Sequence, residues 1–96
     1  MEDSALSIRG VRIRLPPERW KHICGGHPEM TSMYNEALDT VAEPDSVQQG
    51  DGGVLLAIRR FPKTPLTSKF LVTAYREITD ADGFVLTAYL TSKPSN

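Results

Sequence analysis

The chain holds a single cysteine, Cys24, among its 96 residues, so it can close no intrachain disulfide. That excludes a secreted mini-protein stapled by bridges, and a reducing cytoplasm is the expected compartment. Long apolar runs are missing too. The longest, Gly53–Ile58, falls far short of the roughly 20 residues that a membrane-spanning helix needs. Met1–Ser7 carries Glu2 and Asp3 where a signal peptide carries Lys or Arg, so neither a targeting segment nor a membrane partner is expected. The sequence contains no Gly-rich phosphate loop with its lysine, no acid cluster suited to Mg²⁺ and no Gly-x-Ser-x-Gly elbow, and no cofactor is expected. What remains, 40% hydrophobic and 24% charged side chains, is enough for the modest core of one domain over residues 1–96, with flexible tails at 1–6 and 92–96.

The formal net charge of −1 argues against a general nucleic-acid binder, yet the charges are segregated. Arg9, Arg12, Arg14, Arg19 and Lys21 crowd the first quarter of the chain. Arg59, Arg60, Lys63, Lys69 and Arg76 lie in a stretch from Gly53 to Arg76 that has no acid. Between them, Gly25 to Gly52 has no Lys or Arg but holds Glu29, Glu36, Asp39, Glu43, Asp45 and Asp51. This pattern suits one basic and one acidic surface, or else simple clustering of solvated charge.

Hydrophobic periodicity sets the elements. Ser7–Leu15 alternates, with Val11, Ile13 and Leu15 opposite Arg12 and Arg14, which predicts a half-buried strand. Pro16 and Pro17 open a short helix reaching about Cys24, with Trp20, Ile23 and Cys24 on one face and Gly25-Gly26 ending it. Met30, Met33, Tyr34, Ala37, Leu38 and Val41 recur at helical spacing, and Pro44 stops that second helix. Ser46–Gln49 is a weak strand and Val54–Phe61 a strong one. Ser68–Ile78 and Phe84–Thr91 read as a hairpin.

A hairpin symmetric about Ala81 pairs Ala74 with Ala88, Val72 with Leu90, Tyr75 with Thr87 and Thr73 with Tyr89. Phe70, Val72, Ala74, Leu86, Ala88 and Leu90 then form an apolar side for the helices to cover. Thr73, Tyr75, Thr87 and Tyr89 form an open, hydroxyl-rich side. With Val54, Leu56 and Ile58 in the core, Arg59 projects to the open side and Arg60 has core parity.

Both histidines fall in Arg19–Met30, at His22 and His27. Two side chains that titrate near neutrality suit the base and acid of phosphodiester cleavage. His22 lies off the apolar face of its helix. The bland alternative is a surface His22 and a helix-ending His27. A third reading, zinc on His22, Cys24, His27 and Glu29, matches no common ligand spacing, and no metal is expected.

Taken in order, Glu18-Arg19-Trp20-Lys21-His22-Ile23, His27-Pro28-Glu29-Met30, Pro44-Asp45-Ser46-Val47, a strand ending in Arg59-Arg60, a long apolar strand and Phe84-Val85-Leu86-Thr87-Ala88-Tyr89 resemble the phage and prokaryotic branch of the barnase, EndoU, colicin and RelE-like nucleases, the BECR fold. The resemblance runs from about Val11 to Thr91. It implies an α+β fold, an N-terminal strand and two helices packed on one face of a roughly four-stranded antiparallel sheet. It also implies a metal-independent, toxin-like endoribonuclease that cleaves RNA through 2′-OH transesterification to a 2′,3′-cyclic phosphate. The implied catalytic set is His22 and His27 with Arg59, or Arg60, on phosphate and Thr87 and Tyr89 positioning the scissile group. Arg60, Lys69, Tyr75 and Arg76 are the expected further RNA contacts. RNA is the expected substrate and an inhibitor protein the expected partner. A non-catalytic RNA- or protein-binding module on the same fold is the alternative.

Overall fold

A computed structural model describes residues 3–93. The order of elements is β1 (Asp3–Leu6), β2 (Arg12–Leu15), α1 (Pro17–Gly26), a 3₁₀ turn (Pro28–Ser32), α2 (Tyr34–Ala42), β3 (Ser46–Gln49), β4 (Leu55–Arg60), β5 (Phe70–Glu77) and β6 (Asp82–Thr91). Together they make an α+β fold with two α-helices and one six-stranded mixed sheet, ordered β1-β2-β6-β5-β4-β3.

The sheet is larger than the four antiparallel strands expected, for a local reason. Ser7–Leu15 is not one strand, because the chain turns at Ser7–Gly10. The Ser7 hydroxyl accepts from the amides of Arg9 and Val11, and Gly10 takes φ 79°, a conformation that favours glycine. The turn folds Asp3–Leu6 back onto Arg12–Leu15 as an antiparallel edge hairpin. The hairpin then joins the sheet by a short parallel pairing of Arg12–Arg14 with Asp82–Phe84. Most of the expected flexible tail at 1–6 is therefore strand. Residues 1–2 and 94–96 of the two tails lie outside the described residues.

The helices cover one face. Pro17 sits in the first turn of α1, where its missing N–H costs nothing, and Glu18 complements the positive end of the helix. α2 lies across β5, β4 and β1, while α1 leans on β6 and on the 3₁₀ turn. Trp20 meets Tyr34 edge to face at 5.1 Å between the helices, and the Tyr34 hydroxyl donates to Asp3 Oδ2 at 2.8 Å. Beneath them the core gathers Ile13, Leu15, Ile23, Met30, Met33, Ala37, Val41, Ala57, Leu71, Tyr75, Val85 and Ala88. Each large side chain buried there contributes roughly 2 kcal/mol.

The expected faces are corrected by the register. The β5–β6 pairs are Leu71↔Leu90, Thr73↔Ala88 and Ala74↔Thr87, then Tyr75↔Val85 across a bulge that leaves Leu86 as the extra residue. The amides of Ile78 and Thr79 both donate to the Asp82 carbonyl, which centres the reversal on Asp80 instead of Ala81. The moved centre alone shifts the register by two and keeps parity, but the bulge makes the net shift one residue beyond it, which turns the other face of β5 to the helices. Tyr75, expected on the open side, is 0% exposed within the core, and Thr73 is buried with its hydroxyl donating to the Ala37 carbonyl at 3.0 Å. Of the side chains expected under the helices, Ala88 and Leu90 are there. Phe70, Val72, Ala74 and Leu86 are not, and in β4 it is Leu55 and Ala57, not Leu56 and Ile58, that share the covered face. Val72, Ala74 and Ile58 are nonetheless buried on the uncovered side. They stand mid-sheet among larger same-face neighbours such as Phe70 and Tyr89.

Two outcomes test this packing. A Cβ at Gly83 would fall inside the envelope of the Arg76 carbonyl oxygen and 2.8 Å from Ile13 Cδ1, at the junction of β2 with β6. Gly83→Ala should therefore lose about 2–3 kcal/mol in urea unfolding, and wild-type stability in that variant would refute the junction.

Tyr34, desolvated and bonded to Asp3, is pushed up to about 12, and burial together with the charge of Glu77 raises Tyr75 against the opposing effect of Arg9. The folded protein thus holds these protons more tightly than the unfolded chain. The contribution of these two tyrosines to stability should be constant below pH 10, the ordinary tyrosine value, and be lost as pH rises from there to about 12. Unfolding curves across that range, with tyrosinate absorbance followed in parallel, check the sign.

Candidate active-site cleft

α1 packs against β6, and of the side chains expected from sequence His22, His27, Thr87 and Tyr89 lie on or next to these two elements, whereas Arg59, Arg60, Lys69, Tyr75 and Arg76 belong to β4, β5 and the loop between them. His22 is exposed on α1 and lines a cleft of about 640 Å³ whose other walls are Arg14, Pro16, Glu18, Arg19, Phe84 and Val85. That volume suits a small ligand or one unit of a polymer. Glu18 and His22 stand one helical turn apart and therefore on the same side of α1. Both also border a second depression of about 490 Å³ with Lys21, Gly25 and Gly26.

One wall is fixed by charge. Arg14 donates from Nε and Nη2 to the two carboxylate oxygens of Asp82, each at 2.9 Å, a bidentate fork across the parallel β2–β6 junction. The fork sets the plane of the guanidinium. Phe84, the register partner of both Arg14 and Arg76, supplies an aromatic surface beside it.

His27 lies further along, just past the last residue of α1, where its amide caps the Ile23 carbonyl. Its ring is 5.7 Å from that of Tyr89, and its Nδ1 is 3.7 Å from Glu29 Oε2. The structure thus brings His27 to Tyr89 and places Thr87, two residues before Tyr89, on the same uncovered face. It does not place His27 on the wall of the His22 cleft.

The arginines exchange the sides expected of them. Arg59 pairs with core residue Leu71 on the helix-covered side, where Nη1 is 3.7 Å from Glu43 Oε1 and the guanidinium lies over the Phe61 ring at 5.1 Å. Arg60 pairs with Phe70 and so has the parity of Tyr89 and Thr87, with its amide donating to Asp45 Oδ2 at 2.8 Å. The cause is that Ala57, not Leu56, occupies the core. Lys69 precedes β5, its carbonyl accepting from the Phe61 amide, and Tyr75 is buried in the core. Arg76 is on the uncovered face beside Gly52, and its Nε is buried with no hydrogen-bond partner among the described residues.

No group of three His, Cys, Asp or Glu among the described residues is arranged to hold a metal ion. No described helix is long and apolar enough to cross a membrane. Compared with protein-family models, with curated proteins and with solved structures, the chain finds no match.

Sequence reasoning missed Arg14, Glu18, Arg19 and Phe84 as cleft residues. The four-residue spacing of Glu18 and His22 was the available signal, whereas the meeting of Arg14 with Asp82 and Phe84 depends on a parallel pairing across most of the chain. The environments of the two histidines give a direct check. Diethyl pyrocarbonate should modify exposed His22 faster than His27, which is packed on Tyr89, and mass spectrometry of early time points reads the order. Faster modification of His27 would contradict this geometry.

Proposed function

We propose that the protein is a metal-independent endoribonuclease whose chemistry takes place in the cleft between α1 and β6. The observation that carries this reading is the opening of Glu18 and His22, one helical turn apart, onto a space bounded by two arginines and an aromatic ring. A carboxylate and an imidazole can divide the two proton transfers of transesterification. Glu18 takes the proton of the ribose 2′-OH, and the 2′ oxygen attacks phosphorus. As the bond from phosphorus to the 5′ oxygen breaks, His22 protonates the leaving oxygen. The products are a 2′,3′-cyclic phosphate and a free 5′-OH. Arg14, held by Asp82, and Arg19 supply positive charge where negative charge builds on the phosphate oxygens. In this assignment Glu18 takes the part that the resemblance implied for His27, and Arg14 and Arg19 take the part it implied for Arg59.

Labelled RNA incubated with the protein in EDTA should be cut to fragments ending in cyclic phosphate. His22→Ala and Glu18→Gln should each slow cleavage by about 10² or more, and Arg59→Ala should leave it unchanged. An intact RNA, or cleavage that needs a divalent ion, would refute the reading. The basic and aromatic uncovered face of the sheet supports a second reading, RNA binding without turnover, which the same assay separates by finding salt-sensitive binding and no products. An inhibitor protein seated over the cleft is the partner implied by a toxin-like enzyme, and rescue of growth by a co-expressed neighbouring protein would identify it.

A further inference from the structure

We propose that the uncovered face of the sheet is a track for single-stranded RNA, leading from the cleft across β6 and β5 to Arg60 at the end of β4. The proposal rests on the ribonuclease reading only for where the strand is cut, not for whether it binds. Register puts Arg12 and Arg14 of β2, Phe84 and Tyr89 of β6, Phe70 and Arg76 of β5, and Arg60 of β4 on that one face. Among the strand residues sharing it, the sole acid is Asp82, and both of its carboxylate oxygens are engaged by Arg14. Most of the acidic block lies elsewhere: Glu36 and Asp39 belong to α2, Glu29 to the 3₁₀ turn before it, and Glu43 follows it, while Asp45 accepts from the Arg60 amide and Asp51 adjoins Gly52 beside Arg76. A chain of net charge −1 therefore presents a basic sheet.

The arrangement of the face favours an unpaired strand. Its middle is filled by Ile58, Val72 and Ala74, buried beneath their larger neighbours, so the surface it offers is that of half-buried Leu56, Phe70 and Tyr89, with the arginines standing around them. Bases freed from a helix can stack on the rings of Phe70 and Tyr89 while their phosphates reach the surrounding guanidiniums, whereas a duplex hides its bases and offers only phosphates. From Arg76 to Phe70 is six positions of β5, ~20 Å at the rise of a strand, which suits about four nucleotides.

The test is fluorescence anisotropy with a fluorescein-labelled 12-nucleotide RNA of mixed sequence, alone or annealed to its complement, on His22→Ala protein so that the probe survives. The single strand should bind about tenfold tighter than the duplex. Arg60→Gln and Phe70→Ala added to that background should each weaken single-strand binding about tenfold, and Arg60→Gln should lower the salt slope by about 1. Arg59→Gln, the adjacent residue on the opposite face, should leave binding unchanged. Equal or tighter binding of duplex, equal losses from Arg59→Gln and Arg60→Gln, or no binding at all would overturn the track. Circular dichroism monitors folding, and exposed Arg60 carries the test if Phe70→Ala unfolds. A protein that binds single strands but, with His22 intact, cuts none keeps the track and loses the ribonuclease reading. One that cuts RNA yet binds it indifferently to Arg60 and Phe70 does the reverse.

Discussion

The hydroxyl of Thr73, buried under α2 and bonded to the carbonyl of Ala37, is the contact on which the arrangement of this protein depends. A buried hydroxyl without a partner is costly, so β5 cannot turn this residue toward the helix unless α2 comes near enough to accept from it. Ala57 and Ala88 flank Thr73 in register on β4 and β6, and three small side chains in a row leave the space for that approach. Once Thr73 faces the helix, strand alternation sends Val72, Ala74 and Arg76 the other way, and pairing carries the same choice to Arg60 and Tyr89.

The local elements were legible in the sequence because their signals are local. Pro16-Pro17 marks the start of α1 within one residue and Ser46–Gln49 is found as read, while of the apolar spacing from Met30 to Val41 the part from Tyr34 on is α2 and Met30 falls in the 3₁₀ turn before it. Parity was not legible, because it was inferred from polarity. Thr73 and Tyr75 look like solvent-facing residues in the sequence, yet in the structure one is satisfied by a helix carbonyl and the other fills the core. The slip of the hairpin centre from Ala81 to Asp80 and the bulge at Leu86 were equally invisible to a symmetric pairing rule. Of the residues singled out by type, His22 lines the cleft, whereas His27 and Tyr89 meet each other outside its wall. Arg14 was read correctly as the polar side of a strand, but nothing in its neighbourhood points to Asp82.

The same geometry reconciles a near-neutral chain with the polyanionic substrate proposed for it. Net charge averages over the surface, whereas a ligand meets one face of it. Here the acids are concentrated on and around α2, and the sheet's opposite face keeps arginines and aromatic rings. The acidic side would also repel a polyanion that approached the wrong way, which favours productive encounters at the cleft side.

The parallel pairing of β2 with β6 has a consequence for the order in which the protein is assembled. The cleft's first arginine and the carboxylate that holds it are 68 positions apart, and the N-terminal hairpin gains its place in the sheet only through the last strand. An isolated hairpin is marginal in water, so during synthesis this segment has α2 to lean on but no neighbour in the sheet until Asp82–Phe84 has left the ribosome. Every shorter nascent chain lacks the cleft's far wall, and whatever chemistry the cleft performs is absent until translation has delivered β6.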